Sequence, residues 1–246
     1  MNDIIGLGIV GLTSILLLAF TLIKRKSPAL FRDIPALTRL RRAAGLAVED
    51  GTRLHISLGR GGLLTPRGAG PLAGLALLRG LAEQASVSDR PPVVTSGEGV
   101  LSALSQDTLE SAYRAAGAEE MYQPVNGRAS GLTPFSYAAG AMPITRDEYI
   151  STTVLLGDFG PEAALLADAA ERDQSLLVAG ASDPAAQAVL FASASDPLIG
   201  EEMFAAPAYL NADAAQRASI SVQDILRWLI ILALLGLSAM KFLGIV

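Results

Sequence analysis

The chain of 246 residues contains no cysteine and a single histidine, His55. The first absence excludes disulfides, thiolate metal sites and a cysteine nucleophile. The second excludes any site within one chain that needs a pair or triad of histidines. Charge is also scarce: 17% of residues are Asp, Glu, Lys or Arg, against about 25% in ordinary soluble domains. Lysine is nearly missing, since Lys24, Lys26 and Lys241 lie in or beside apolar end segments and the centre has none. What is abundant is apolar, at 51% of residues with a mean hydropathy of +0.42. That excludes a disordered chain and argues against an ordinary soluble enzyme.

The apolar excess concentrates at the two ends. Residues 4–23 read IIGLGIVGLTSILLLAFTLI without a charge. At about 1.5 Å per residue they cover roughly 30 Å, the thickness of a bilayer's hydrocarbon core. A signal peptide needs basic residues before its apolar run. Here Met-Asn-Asp precedes it and Lys24-Arg25-Lys26 follows, which favours a transmembrane helix. Residues 225–246, ILRWLIILALLGLSAMKFLGIV, form a second expected span. Arg227 and Trp228 suit the membrane interface, and Lys241 can snorkel to the far surface. The alternative for this segment is a buried C-terminal helix. Lys and Arg concentrate between the spans, so the positive-inside rule predicts a cytoplasmic central region with both termini outside.

Residues 24–51 form a basic neck. Asp33 is placed to cap a helix that carries Pro35 in its first turn. Leu37, Leu40, Ala44 and Ala47 recur at helical spacing, with Arg39, Arg41 and Arg42 on other faces. Two readings stand: an amphipathic helix lying on anionic headgroups, or a solvated topology signal on an ordinary domain helix. Beyond it the balance reverses, and nine Arg face 21 Asp and Glu between Ala43 and Gln216. An acidic body argues against nucleic acid as a partner.

From residue 52 to about 211, strand patterns alternate with helical ones. Arg53–Gly59, Pro92–Gly97, Thr152–Gly157 and Ser175–Gly180 read as strands. Pro71–Gln84, Val100–Ala116, Pro161–Arg172 and Pro184–Ala194 read as helices. The expected fold is α/β, a mostly parallel Rossmann-like sheet flanked by helices, with one transmembrane helix at each end. Residues 121–150 read as a connection holding a short helix that starts at Thr133-Pro134. The apolar stretch with Phe204 and Tyr209 is expected in the core or at a subunit interface.

Candidate chemistry is sparse. Gly59-Arg60-Gly61-Gly62 follows a strand as a phosphate-binding turn does, and Arg60 is suited to an anion. Leu64 stands where a third glycine belongs, and no Gly-Lys-Ser/Thr follows, so a plain turn is the simpler reading. The carboxyl edge of the sheet collects Ser96, Glu98, Asp158, Glu162, Ser182 and Asp183, where open α/β sheets bind ligands. Each also has a local use: Ser96, Asp158, Ser182 and Asp183 at helix N-caps, Glu98 and Glu162 in first turns. The speculative ligand-binding set is therefore Arg60, Gly61, Ser96, Glu98, Asp158 and Asp183, with no metal, no cofactor and no catalytic residue expected. His55 lies on the polar side of its strand without a G-x-S-x-G elbow, so a hydrogen-bonded structural histidine is expected.

The segments AVEDGTRLHISLGRGG, TPFSYAAGA, PLIGEEMFAAPAYL and SVQDILRW resemble an uncharacterised family of bacterial membrane-associated proteins, over about Leu37 to Trp228. The resemblance implies a bacterial source, hence the inner membrane, and no established catalysis. It carries no functional residues. The leading expectation is a non-enzymatic scaffold that self-associates through its cytoplasmic α/β domain and its spans, the first of which offers Gly6, Gly8 and Gly11 for close helix approach, with the bilayer and other membrane proteins as partners. The alternative is a membrane-tethered regulatory domain that binds a ligand at the glycine turns and the carboxyl edge.

Overall fold

A computed structural model describes residues 2–24, 31–65, 67–210 and 214–243. The chain forms two compact units, residues 32–210 and the two end segments together.

In the end unit, α1 (Asn2–Lys24) and the C-terminal helix Ala214–Phe242 are in contact. Half-buried positions on α1 recur at Thr13, Leu16, Leu17, Phe20 and Thr21, one helical stripe. Both helices are long and apolar enough to cross a membrane, and their most apolar windows contain no buried residue. The C-terminal helix starts at Ala214, well before the expected span at residue 225, because Gln216 to Asp224 has good helix formers and no breaker.

In the central unit, α2 (Pro35–Glu49) opens the fold. Its N-cap is Ile34, with no side-chain cap; Asp33 Oδ1 instead accepts from the Thr38 hydroxyl at 3.0 Å. The stripe Leu37, Leu40, Ala44 and Ala47 is buried in the domain core. The apolar side that a lipid-lying helix would give to the membrane is thus spent on the protein. Arg39 pairs with the buried Asp196, whereas Arg41 and Arg42 are exposed.

There follow β1 (Arg53–Gly59), α3 (Ala69–Ala85), β2 (Val93–Ser96), α4 (Gly99–Ala115), β3 (Gly127–Ala129), α5 (Pro134–Asp147) and β4 (Ile150–Asp158). The unit closes with α6 (Ala163–Arg172), β5 (Leu176–Ala181), α7 (Pro184–Ser193), β6 (Asp196–Pro197) and α8 (Glu202–Leu210), and the C-terminal helix is α9. All the strand pairs are parallel, in the order β3-β2-β1-β4-β5-β6. That is the order of a doubly wound sheet, which reverses between β1 and β4.

Both sheet faces are covered. Leu54, Ile56 and Leu58 of β1 join Leu40, Leu77 and Leu78 in one core cluster. The opposite face packs Leu155, Leu177 and Ala179 against α5, α6 and α7 through Tyr137, Leu166 and Leu190. The period-two pattern of β1 therefore separates two buried faces, not core from solvent. On its polar side, His55 and Ser57 meet Thr95 and the Tyr137 hydroxyl. α8 is core rather than surface, since Met203 and Ala206 are buried in the first cluster.

β3 and β6 have only three and two residues, too short to show a periodicity. α5 starts with a Thr133/Ser136 capping box and runs on to Asp147, past Pro143.

Candidate functional site

The switch point lies where the carboxyl ends of β1 and β4 part. Gly59 turns the chain there with φ +76°, and a Cβ on it would stand 2.1 Å from the Asp158 carbonyl oxygen. Only glycine fits such a turn without strain. The Arg60 N–H donates to that carbonyl at 2.8 Å, and the Gly97 N–H after β2 donates to the Gly59 carbonyl at 2.8 Å. The β1 loop is thereby fastened to both neighbouring strands.

Side chains then converge. Arg60 Nε donates to Glu162 Oε1 at 3.0 Å, and the Gly160 N–H donates to the same oxygen at 2.9 Å. The other two Arg60 nitrogens make no hydrogen bond among the described residues. Arg67 reaches Asp183 at 2.8 Å and comes within 4.0 Å of Asp158. A cleft of about 260 Å³ opens between them, lined by Arg60, Gly61, Arg67, Asp158, Phe159 and Asp183 among others. A second cleft of about 350 Å³ adjoins it through Arg67, with Ser182, Gln187 and Phe204 in its wall. A larger groove of about 470 Å³ lies at the opposite edge of the sheet, and Glu171 is the charged residue in it. It lacks the convergent charges that mark a recognition site.

The site's electrostatics are unusual. Asp158 Oδ1, Glu162 Oε2 and Glu98 Oε2 are buried and have no hydrogen-bond partner among the described residues. Burial pushes the Asp158 carboxyl above its ordinary range, against the pull of Arg67 and with the push of Asp183. Burial acts the same way on Glu162, but the Gly160 N–H and Arg60 outweigh it and hold that carboxyl below its usual range. Two neighbouring carboxyl groups are thus moved in opposite directions.

Of the residues expected to bind, Arg60, Gly61, Asp158 and Asp183 line one cleft. Glu98 stands beside the loop, its carboxyl 3.9 Å from where a Cβ on Gly62 would be. Ser96 is turned away: it is buried, and its hydroxyl donates to the Glu98 carbonyl at 3.2 Å. The loop's close approach is taken up by the chain itself, since a Cβ on Gly61 would lie 2.4 Å from the Asp158 side chain. Of the expected caps, Asp183 serves α7 by accepting from the Ala186 N–H at 3.2 Å. Asp158 does not cap α6 and Ser96 does not cap α4, whose N-cap positions are Glu162 and Glu98. Arg67 was not foreseen; it sits in an irregular loop with no spacing signal. Lys24 ends α1, Arg227 and Trp228 are exposed on α9, and Arg25 and Lys26 lie outside the described residues.

His55 is 1% exposed, with Nε2 2.9 Å from the Thr95 hydroxyl oxygen, and burial together with the Arg128 charge lowers its pKa to about 3. It is neutral at pH 7 and has no carboxylate on Nδ1 among the described residues, so no Ser-His-Asp relay forms.

The sheet order and the cleft at its reversal define a doubly wound α/β domain with a cleft at its switch point. The chain belongs to the family described as a domain of unknown function, DUF6754, whose model matches residues 3–245 and so takes in both apolar end helices. No curated protein and no solved structure matches it.

Proposed function

We infer that the chain is a bilayer-anchored α/β domain that binds a small polar ligand in its switch-point cleft. The observation that carries this is the cleft in which Arg60 keeps two guanidinium nitrogens open near Asp158, whose buried Oδ1 makes no hydrogen bond among the described residues and has Arg67 at 4.0 Å. Native folds satisfy buried polar atoms as a rule, and exceptions collect at working sites. A ligand that brings a hydrogen-bond donor to Asp158 and an anionic group to Arg60 and Arg67 completes the cleft. α1 and α9 serve as anchors, with the central unit on the cytoplasmic side of a bacterial inner membrane and both termini outside. The strongly apolar helices, with mean hydropathies of 2.3 and 1.9, and the basic residues Lys24, Arg25, Lys26 and Arg227 at their inner ends support that topology.

Thermal unfolding of the full chain in mild detergent, screened against nucleotides, sugar phosphates and amino acids, tests the ligand reading. Saturating ligand at a hundred times its Kd adds about 2.7 kcal/mol of stability. The expected shift disappears in Arg67→Ala and Asp158→Ala. A flat response to the whole panel rejects the reading.

Self-association as a non-enzymatic scaffold is a second reading, favoured by one feature. Gly6, Gly8 and Gly11 have nothing within 4 Å of where a Cβ would stand, which leaves these positions of α1 open to close helix approach. Native mass in mild detergent decides it, and a monomer at high concentration rejects it.

A further inference from the structure

The two clefts at the carboxyl edge lie side by side, one over the end of β4 and the other over the end of β5. Gly157 of β4 is in register with Ala181 of β5, and the Ser182 N–H donates to the Gly157 carbonyl at 3.0 Å. Asp158, one residue beyond Gly157, lines the first cleft, and Ala181 and Ser182 line the second. Neighbouring strands are about 4.8 Å apart, so one small molecule reaches from one cleft into the other. Arg67 borders both.

Their chemistry differs. In the first cleft Arg60 keeps two guanidinium nitrogens open, and the Asp158 side chain is 17% exposed, so a bound molecule reaches it. The charges there do not balance. Arg60 and Arg67 face the carboxylates of Asp158, Glu162 and Asp183, and Glu98 stands beside the loop. An anion that brings no positive charge of its own is repelled by that excess, which weighs against nucleotides and sugar phosphates. A zwitterion meets it with an ammonium group. The second cleft, of about 350 Å³, is mostly apolar, with Ala69, Ala181, Met203 and Phe204 in its wall. Glu201, exposed, also lines it and adds to the negative charge.

Resting on the reading of the switch-point cleft as a ligand site, we propose that the ligand is an α-amino acid with a bulky apolar side chain. Its carboxylate takes the open nitrogens of Arg60, its ammonium meets the Asp158 carboxylate, and its side chain lies in the second cleft against Met203 and Phe204. Such a molecule supplies an acceptor to the arginine, a donor to the unsatisfied carboxylate and apolar area to the apolar wall.

Isothermal titration of the full chain in mild detergent tests this with probes that each lack one group. L-phenylalanine, L-leucine and L-methionine carry all three groups; glycine lacks the side chain, hydrocinnamate the ammonium and phenethylamine the carboxylate. The tightest of the three complete amino acids is expected to bind about tenfold or more tightly than each incomplete probe. Ala69→Phe fills the second cleft from an exposed position and should reduce the complete amino acids to the affinity of glycine while leaving glycine unchanged. Matching circular dichroism certifies the fold of the variant. Equal affinity for glycine and the larger amino acids overturns the placement across two clefts, and so overturns the proposal. A thermal shift with a nucleotide or sugar phosphate and no binding of any amino acid also overturns it, but leaves the cleft a ligand site. Silence from these probes and from the wider panel overturns the ligand reading and this proposal together.

Discussion

The two edges of the sheet use their charges in opposite ways. At the amino edge, Arg53 gives Nε to the Pro91 carbonyl at 2.8 Å, Nη2 to Asn126 at 2.8 Å and Nη1 to Glu148. Arg128 completes Glu148 from β3. Every guanidine nitrogen of Arg53 that is aimed inward has an acceptor, and the cluster ties β1, β3 and the start of β4 together. At the carboxyl edge, Arg60 makes one bond and leaves the rest of its guanidinium open, and three nearby carboxylates each keep an oxygen unsatisfied. A closed network returns the cost of burying its charges, and a half-closed one does not. The first kind holds a fold together; the second is what the proposed ligand would complete.

That contrast breaks most readily at Glu148. Glu148→Ala leaves Arg53 and Arg128 facing each other in a half-buried pocket without a counter-charge. The expected loss is about 3 kcal/mol, read as a lowered urea midpoint for the full chain in detergent by circular dichroism. A loss of a few tenths would mean that the cluster is a solvated surface feature. The carboxyl edge breaks by crowding instead. Gly61→Ala drives a Cβ into the Asp158 side chain and costs about 2 kcal/mol. Asp158→Ala in the same molecule returns part of that loss, because the clash is then gone. Simple additivity of the two would show that Asp158 is not what the loop packs against.

Acid sharpens the comparison at the centre of the sheet, between the edges. His55 in the fold titrates near 3, below its ordinary 6.5, so the unfolded chain binds the extra proton between those values. Its contribution is present in full above pH 6.5 and is lost as pH falls toward 3. Stability of the wild type should fall more steeply over that window than stability of His55→Gln. Parallel curves would place water, not protein, around the imidazole.

The elements that could be read in advance are those whose residues repeat. β1 spans Arg53–Gly59 as its alternation indicates, and α3, α4, α6 and α7 lie where small and apolar residues recur. The carboxyl-edge residues Arg60, Asp158 and Asp183 could be gathered because strand-turn-helix order fixes which loops share an edge. What could not be read came from long-range partners. Nothing near Arg67 in sequence indicates that its guanidinium reaches Asp183, and nothing in Arg-Leu-His-Ile-Ser-Leu-Gly tells that His55 meets the buried Thr95 hydroxyl. The fate of the α2 stripe was equally hidden. Leu37 and Leu40 suit a lipid surface or a protein core alike, and only the position of β1, β4 and β5 beneath the helix decides between them.

The smallest expected effect bears most directly on function. Asp158→Asn keeps the shape of the side chain and removes a charge whose carboxyl is pushed up by burial and by Asp183. A group whose folded pKa lies above its unfolded one weakens the fold while it is ionised and ceases to do so once protonated. At pH 7 the variant should therefore match or slightly exceed the wild type, by less than about 1 kcal/mol, with Arg67 still paired to Asp183. The advantage should shrink as pH falls below the carboxylate range. If Asp158→Asn instead lowers the urea midpoint as Glu148→Ala does, the two edges are equivalent and the cleft is a structural network. If stability holds and the ligand-induced thermal shift is lost, Asp158 stays ionised at a cost to the fold for the sake of what it binds.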